Sequence, residues 1–329
     1  MKGIAYDAFE DGHRRSYLDT WARELGYDTL IARPSLGVLI TLLRAQHVIF
    51  STLDDVPLFY LIVGILRSCI GRRTVGIFLR PHGCFYTHHP KYKIKRAYYR
   101  FLASWPSLAP VSIIPHFVNS HLAEVSRDWI YDPQNWDLYS NPPDVTKSTL
   151  LSEKIRIEAR GRKIIAAIGG LNRFKGFEYF AAIAASLGTD SDSYFFVACG
   201  PLAHDCHNEA KSIEEAGGLV VGEFISDADI WALYGLSKAI WACYPALNDQ
   251  ASGIFGRAVQ LGVPVIVRAG SFNAVQAERM GAPSLRIPFG APEEAVNLLK
   301  SGGLSAKTPD WNLVGKLKSE SLERLARLL

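Results

Sequence analysis

The stretch AIGGLNRFKGFEYF, residues 167–180, sets Arg173 and Lys175 between an apolar run and the start of an apolar helical face. A helix N-terminus carries the positive end of the backbone dipole, so cations are disfavoured there unless an anion arrives to meet them. Gly169 and Gly170, lacking side chains, let the backbone at the strand end approach a ligand, and amide donors and both cations can then converge on a diphosphate. The competing explanation is a pair of solvated loop cations. A second junction, NDQASGIFGRAVQLGVPVIV, has the same logic: Ser252 is placed to cap a helix, Gly253 leaves the first turn beside Ile254 bare, and Gly262 stops the helix before a buried strand. A bare helix start seats an anion, although a tightly packed helix–strand turn would use the same residues.

Other residues with chemical potential are scattered. His82 follows an apolar strand at its carboxyl end, where parallel sheets bind ligands, or is an ordinary loop histidine. His88, His89, Lys91, Lys93, Lys95 and Arg96 make a tyrosine-rich basic run suited to anionic lipid or a charged acceptor, or else a solvated helix face. CGPLAHDCH gathers Cys199, His204, Asp205, Cys206 and His207 but lacks paired C-x-x-C spacing, so no metal is expected. There is no G-x-G-x-x-G after a strand, no P-loop, no H-E-x-x-H and no G-x-S-x-G. Dinucleotide oxidoreductase, P-loop kinase, zinc protease and serine hydrolase therefore lose support.

The elements that must position these residues follow an alternating rhythm. Strands are expected near 3–8, 29–32, 47–51, 74–80 and 111–114, with helices near 13–25, 35–45, 56–70, 91–104 and 120–130. A second set of strands falls near 163–168, 194–199, 219–221, 239–243, 263–267 and 284–287, and SLERLARLL closes the chain as an amphipathic helix. The pattern is α/β, with parallel sheets and crossover helices. At 329 residues the chain suggests two domains, of roughly 150 residues each by the usual size range. The break at Asn141-Pro142-Pro143-Asp144 and the charged stretch after it place the boundary near 141–160. With 48% hydrophobic and 21% charged residues and a net charge of +4, the composition is that of a globular protein with room for a basic cleft but no nucleic-acid stripe. Five cysteines without framework spacing favour a reducing compartment, the acidic residues of MKGIAYDAFE argue against a signal peptide, and the longest apolar run, 56–66, is about half a bilayer span.

Taken together and in order, GGLNRFKG, FFVACGP, LVVGEFIS, DIWALYGLS and SGIFGRAVQLGVPVI resemble the C-terminal domain of the GT-B-fold retaining glycosyltransferases of group 1, the family 4-like nucleotide-sugar enzymes. FEDGHRRSYLDTWARELGYDTLI is similar to their first strand-loop-helix, LRPHGCFYTHHPKYKIKRAYYRFL to a segment of polysaccharide-assembling members, and YSNPPD to the end of their N-terminal domain. The resemblance implies two Rossmann-like domains facing each other across a cleft: 1–145 on the acceptor side, 146–305 binding the nucleotide sugar, and 306–329 a C-terminal helix packing back toward the first. It implies transfer of a sugar from a nucleotide diphosphate donor to a hydroxyl of a glycan or lipid-linked acceptor, with retention, in surface polysaccharide or glycoconjugate assembly.

By this resemblance Arg173 and Lys175 neutralise the leaving diphosphate without a metal or cofactor, His82 and the Gly12–His13 loop face the sugar, and Gly170, Ser252, Gly253 and Ile254 line the donor site. The family's loop arginine falls on Gly170. The Glu that grips the nucleotide ribose falls on Arg257, one helical turn past Gly253, and its partner acid on Asp249; Arg257 is then expected to turn to the diphosphate or to pair with Asp249. A cytoplasmic protein, touching the inner face of the membrane peripherally, is expected. Two alternatives stand: a catalytically silent GT-B-like nucleotide-sugar-binding or partner subunit, and a GT-B epimerase or phosphorylase, for which no acid/base pair is visible.

Overall fold

The computed structural model describes residues 3–10, 13–86, 89–188 and 193–329, and of His13 the backbone only. By internal contact the chain divides into two compact units, Met1–Pro133 with Gly315–Leu329, and Gln134–Val314.

The first unit runs β1 (Gly3–Asp7), α1 (His13–Leu25), β2 (Asp28–Ile31), α2 (Leu36–Arg44), β3 (His47–Phe50), α3 (Pro57–Ser68), β4 (Thr74–Phe78), α4 (Pro90–Ser104), β5 (Leu108–Ser112) and β6 (Asp128–Trp129). Its six strands are parallel, in the order β2-β1-β3-β4-β5-β6. The chain moves one way from β1 to β2 and the other way thereafter. Right-handed crossovers therefore put α1 on one face and α2, α3 and α4 on the other. One core cluster records that second face: Val38 and Leu42 of α2, Tyr60 and Val63 of α3, and Tyr99 and Leu102 of α4 pack with Tyr6, Val48, Phe50 and Phe78 of the sheet. Arg67, in the last turn of α3, is fully buried. Its guanidinium donates to Leu42 O and Ala45 O at 2.7 Å each, to Gln46 O and Arg73 O at 3.0 Å, and to Thr74 Oγ1 at 3.1 Å. Burial lowers its pKa to about 10, and the carbonyls hold the charge in place of water.

Residues 120–130, expected as a helix, form instead a single 3₁₀ turn, Ser120–Glu124, followed by β6. Ser126 Oγ turns back to Leu122 O at 2.7 Å and the chain then pairs Asp128 and Trp129 with β5, so strand pairing overrides a short helix-like spacing of apolar residues.

The second unit runs α5 (Leu150–Ala159), β7 (Lys163–Ile168), α6 (Phe177–Leu187), β8 (Tyr194–Cys199), α7 (His207–Glu215), β9 (Leu219–Val221), α8 (Asp227–Leu236), β10 (Ala239–Ala242), α9 (Gly253–Gln260), β11 (Val265–Arg268), α10 (Phe272–Arg279), β12 (Ser284–Ile287) and α11 (Pro292–Lys300). Its sheet is also six-stranded and parallel, in the order β12-β11-β10-β7-β8-β9. The last helix, α12 (Trp311–Leu328), supplies the first unit with its C-terminal part, where Lys318 meets Glu24 at 2.7 Å and Arg324 meets Asp128 at 2.7 Å while lying 3.8 Å over the Trp129 ring. Among the described residues no helix is long and apolar enough to cross a membrane.

Candidate functional site

In an open parallel sheet the strand order reverses at one point, and loops leaving the carboxyl ends there diverge to make a crevice. In the second unit that point lies between β7 and β10. The loops that leave them are the two junctions singled out above. After β7 the chain turns through Gly169 and Gly170 into a 3₁₀ turn, Arg173–Lys175, which Asn172 caps by accepting from Lys175 N at 3.0 Å. Gly176 ends that turn at φ +69, with its missing Cβ directed at Cys243 O only 2.2 Å away, so a side chain is excluded by both conformation and space. This close approach sets Lys175 against the end of β10. Its Nζ lies 4.6 Å over the Tyr244 ring, and Tyr244 Oη shares a hydrogen bond of 2.9 Å with Ser252 Oγ, the N-cap of α9. A methyl built on Gly169 would lie 4.0 Å from Ile254 Cδ1, which brings the two junctions into contact range. The amides of Gly253 and Ile254 have no protein acceptor among the described residues, nor does Lys175 have a carboxylate partner there. A cation and two free amides thus share one corner, an arrangement fit for an anion.

Other expected site residues are engaged elsewhere. Arg173, half exposed, points its guanidinium at Asp205 (3.2 Å), Glu178 (3.4 Å) and Glu209 (3.5 Å). Asp249 accepts from Phe272 N at 2.8 Å, opening α10, and pairs with Arg268 at 2.8 Å; Arg268 also donates to Tyr244 O at 3.0 Å. The expectation that Arg257 pairs with Asp249 is corrected: its Nε and one terminal nitrogen donate to Asp137 Oδ2 at 3.1 and 2.9 Å, and the guanidinium lies 5.3 Å from the Trp231 ring centroid. Gly253 is bare on one side for packing, because a Cβ there would meet Gln134 Oε1 at 2.0 Å. Because Arg173 already spends its charge on three acids, Arg173→Ala is expected to weaken nucleoside diphosphate binding less than tenfold, below the effect of Lys175→Ala; titration calorimetry of both variants decides the order.

In the first unit the reversal lies between β1 and β3. Asp7 ends β1 with a buried carboxylate that accepts from Thr52 Oγ1 at 2.7 Å and from Phe9 N at 3.1 Å, ordering the start of the β1–α1 loop; burial raises its pKa. Gly12, expected in that loop, lies outside the described residues, and His13 opens α1. After β3, Asp54 turns its carboxylate inward to accept from Leu79 N at 2.7 Å and Arg80 N at 3.3 Å, fixing the loop that carries His82; burial raises this pKa too. Lys95 is turned inward as well, its Nζ 3.8 Å from Asp54 and 5.3 Å over the Phe78 ring, and Arg96 pairs with Glu124 at 2.6 Å. In the basic run Lys91 and Lys93 are exposed and make no ion pair among the described residues, Arg96 and, further on, Arg100 share Glu124, and His88 lies outside the described residues. His82 sits in the turn Pro81–Cys84, its Nδ1 buried with no partner among the described residues and its ring edge-on to Tyr86 at 5.6 Å.

Burial, then Lys95 and Arg80, lower the His82 pKa to about 4. The imidazole is neutral near pH 7 and can give or take a hydrogen bond, but it cannot act as a cation. Since the unfolded chain binds this proton near pH 6.5 and the folded chain only near 4, folding stability should fall as pH drops through that window. His82→Gln should remove that component; an unchanged acid limb in urea titrations would contradict it. Among the described residues no group of three or more His, Cys, Asp or Glu is placed to hold a metal; His204 and His207 lie edge-on to each other beside buried Cys206.

Two all-parallel six-stranded units, each with a reversal of strand order and with the closing helix returned to the first, form the GT-B fold. The solved structures the chain resembles over its length bear this out. HepE of Anabaena in complex with UDP and glucose superposes with a TM-score of 0.65 at 14% identity, covering 99% of both chains. A glycosyltransferase from Rickettsia africae gives 0.59 at 14% identity, covering 99% of this chain and 93% of that one. WaaG, a glycosyltransferase involved in lipopolysaccharide biosynthesis, gives 0.58 at 12% identity over 98% and 95%. No protein-family model matches the chain, and no curated protein matches it.

Proposed function

We propose that the protein transfers a sugar from a nucleotide diphosphate donor to an acceptor hydroxyl, with the anomeric configuration retained. The observation that carries this is the corner of the second unit, at the strand-order reversal, where Lys175, without a carboxylate partner, lies over Tyr244, whose hydroxyl bonds Ser252 just ahead of the free amides of Gly253 and Ile254. As the sugar leaves, negative charge grows on the diphosphate, and a fixed cation with amide donors stabilises it without waiting for solvent to reorganise. Gly170 leaves the loop open, and Ser252, held by Tyr244, orients the amides. The resemblance assigns contact with the transferred sugar to His82, which is neutral near pH 7, and to Gly12 and His13. No metal or cofactor enters this scheme. UDP is the diphosphate to test first, since HepE was solved with UDP and with UDP-glucose. The role of WaaG in lipopolysaccharide biosynthesis supports a place in surface polysaccharide or glycoconjugate assembly; the cytoplasmic side and a glycan or lipid-linked acceptor follow from the sequence resemblance alone.

The pairing of Arg257 with Asp137 supports a second reading, because it leaves no carboxylate at the position where the resemblance expects a ribose-binding Glu. The second reading is a subunit that holds a nucleotide sugar without transferring it. Release of nucleoside diphosphate from a panel of nucleotide sugars, with glycan and lipid acceptors supplied, separates the two. Release supports transfer, saturable binding with no release from any donor supports the silent subunit, and no binding at all sinks both. Turnover should persist in EDTA, because protein groups neutralise the leaving diphosphate; complete inhibition reversed by magnesium would show that a metal does so instead.

A further inference from the structure

The break Asn141-Pro142-Pro143-Asp144 forms one wall of a hollow of about 370 Å³ in the second unit. Asn141, Pro143, Asp144 and Lys147 line it with Leu138, and Trp231 of α8 stands against them. The volume falls in the range of small-ligand pockets, roughly 300–1,000 Å³. Both walls are held in place. Leu138 N donates to Gln260 Oε1 of α9 at 3.1 Å, a Cβ on Gly235 would collide with Val145 O so closely does the segment lie on α8, and Thr149 bonds the Asp229 carboxylate. Trp231 is fixed by the Arg257 guanidinium, 5.3 Å from its ring centroid, and by Tyr234, stacked at 5.9 Å. A ligand entering the hollow would therefore have little ordering to bring about.

The polar groups of the hollow are largely unspent. The Trp231 indole N–H, the Asn141 amide and the Lys147 ammonium make no side-chain hydrogen bond among the described residues. Asp144 accepts from Thr146 N at 2.9 Å and Thr146 Oγ1 at 2.6 Å, bonds that hold its carboxyl below the usual range, and an ionised carboxylate has room for further donors. Donors, a carboxylate and an indole around one hollow match a saccharide, whose hydroxyls both donate and accept and whose C–H face can lie on an aromatic ring. A phosphate fits badly: Asp144 is in the wall, Asp227 and Asp229 stand in the first turn of α8, and Ser226 already caps that helix. A wholly apolar ligand would bury Asp144 and Lys147 without partners, at high cost.

We propose that this hollow is a second saccharide site, taking a short stretch of neutral glycan on Trp231 with Asn141, Asp144 and Lys147 as its hydrogen-bonding partners. It shares no residue with the diphosphate corner, which is built from Lys175, Tyr244, Ser252, Gly253 and Ile254. Binding there does not depend on sugar transfer, but its use rests on the glycosyltransferase reading: a glycan gripped at a second point stays with the protein between transfers.

The test is saturation-transfer NMR titration of the full chain with maltose, cellobiose, lactose and chitobiose, without nucleotide. At least one disaccharide should bind. Trp231→Ala should weaken it about tenfold or more, as loss of an aromatic anchor does. Trp231→Phe, which keeps a ring and loses the N–H, and Asn141→Ala should each weaken it by about three- to tenfold, the range of one hydrogen bond. Asn141 is exposed, so its variant stays folded and keeps the test decisive even where Trp231→Ala does not. Uridine and UDP should leave the disaccharide signal unchanged. Titration with UDP alone is the separate arm: a chain that binds disaccharide but no UDP keeps this site and loses the transfer reading, and one that binds UDP but no disaccharide does the reverse. Failure of every disaccharide to bind, binding unchanged in both Trp231→Phe and Asn141→Ala, or displacement by uridine would each overturn the proposal.

Discussion

Arg257→Glu should destabilise the protein by about 3–5 kcal/mol, the usual cost of breaking a largely buried pair, and do so without any ligand present. Arg257 is 22% exposed and Asp137 8%. The guanidinium takes Asp137 Oδ2, while Gln260 Nε2 donates to Asp137 Oδ1 at 2.9 Å and Gln260 Oε1 accepts from Leu138 N at 3.1 Å. Together these bonds fasten residues 134–138 to α9. Gly256 belongs to the same seam, since a Cβ there would meet Gln134 O and Asn135 Oδ1 at 2.4 Å. A carboxylate at 257 would face Asp137 with no cation between them. Urea unfolding should show the loss as a lower midpoint, and the swapped pair Arg257→Glu with Asp137→Arg should recover part of it. A change within about 0.5 kcal/mol, the range of an ordinary surface substitution, would mean that the pair carries no structural weight.

Lys175→Ala should weaken nucleoside diphosphate binding by about 1.5–3 kcal/mol, roughly 10- to 150-fold, and leave nucleoside binding nearly unchanged. The ammonium lies 4.6 Å over the Tyr244 ring and has no carboxylate to share its charge among the described residues. Removing it should therefore cost the phosphate contact and little else. Stability should change little, in contrast to Arg257→Glu. Equal losses for nucleoside and diphosphate would remove the phosphate assignment.

The parallel sheets were legible because their strands are short apolar runs separated by helical spacing, as in IAYDAF, KIIAAI and FFVACG. The stretch 120–130 was not, since a two-residue strand such as β6 leaves almost no periodic signal. Glycines and cations marked the two junctions of the second unit, because those residue types are unusual at a helix start. Tyr244, which links them, is an unremarkable aromatic until β7 and β10 are known to be neighbours. Asn172 and Asn248 escaped notice for the same reason: Asn172 caps the turn, and Asn248 donates to Phe174 O at 2.6 Å. Asp7, inside the expected strand 3–8, and Asp54 carry no signal of their own in the sequence, and only the fold turns them inward. Arg257 shows the limit most sharply. Asp249 is eight residues away in the chain, yet the partner is Asp137, 120 residues away. In the basic run, Lys91, Lys93 and Lys95 alternate in sequence, but 100° of rotation per residue sends Lys93 outward and Lys95 in toward Asp54.

The central claim is that the corner formed by Lys175, Ser252, Gly253 and Ile254 holds the diphosphate of a nucleotide donor. It is tested most directly by calorimetric titration of the full chain with UDP and with uridine, in EDTA, beside the Lys175→Ala variant. The account predicts saturable binding of UDP, uridine binding weaker by at least tenfold, and loss of most of that difference in the variant. Failure of UDP, ADP and GDP alike to bind, or binding of UDP no tighter than uridine in the unmodified protein, would contradict it.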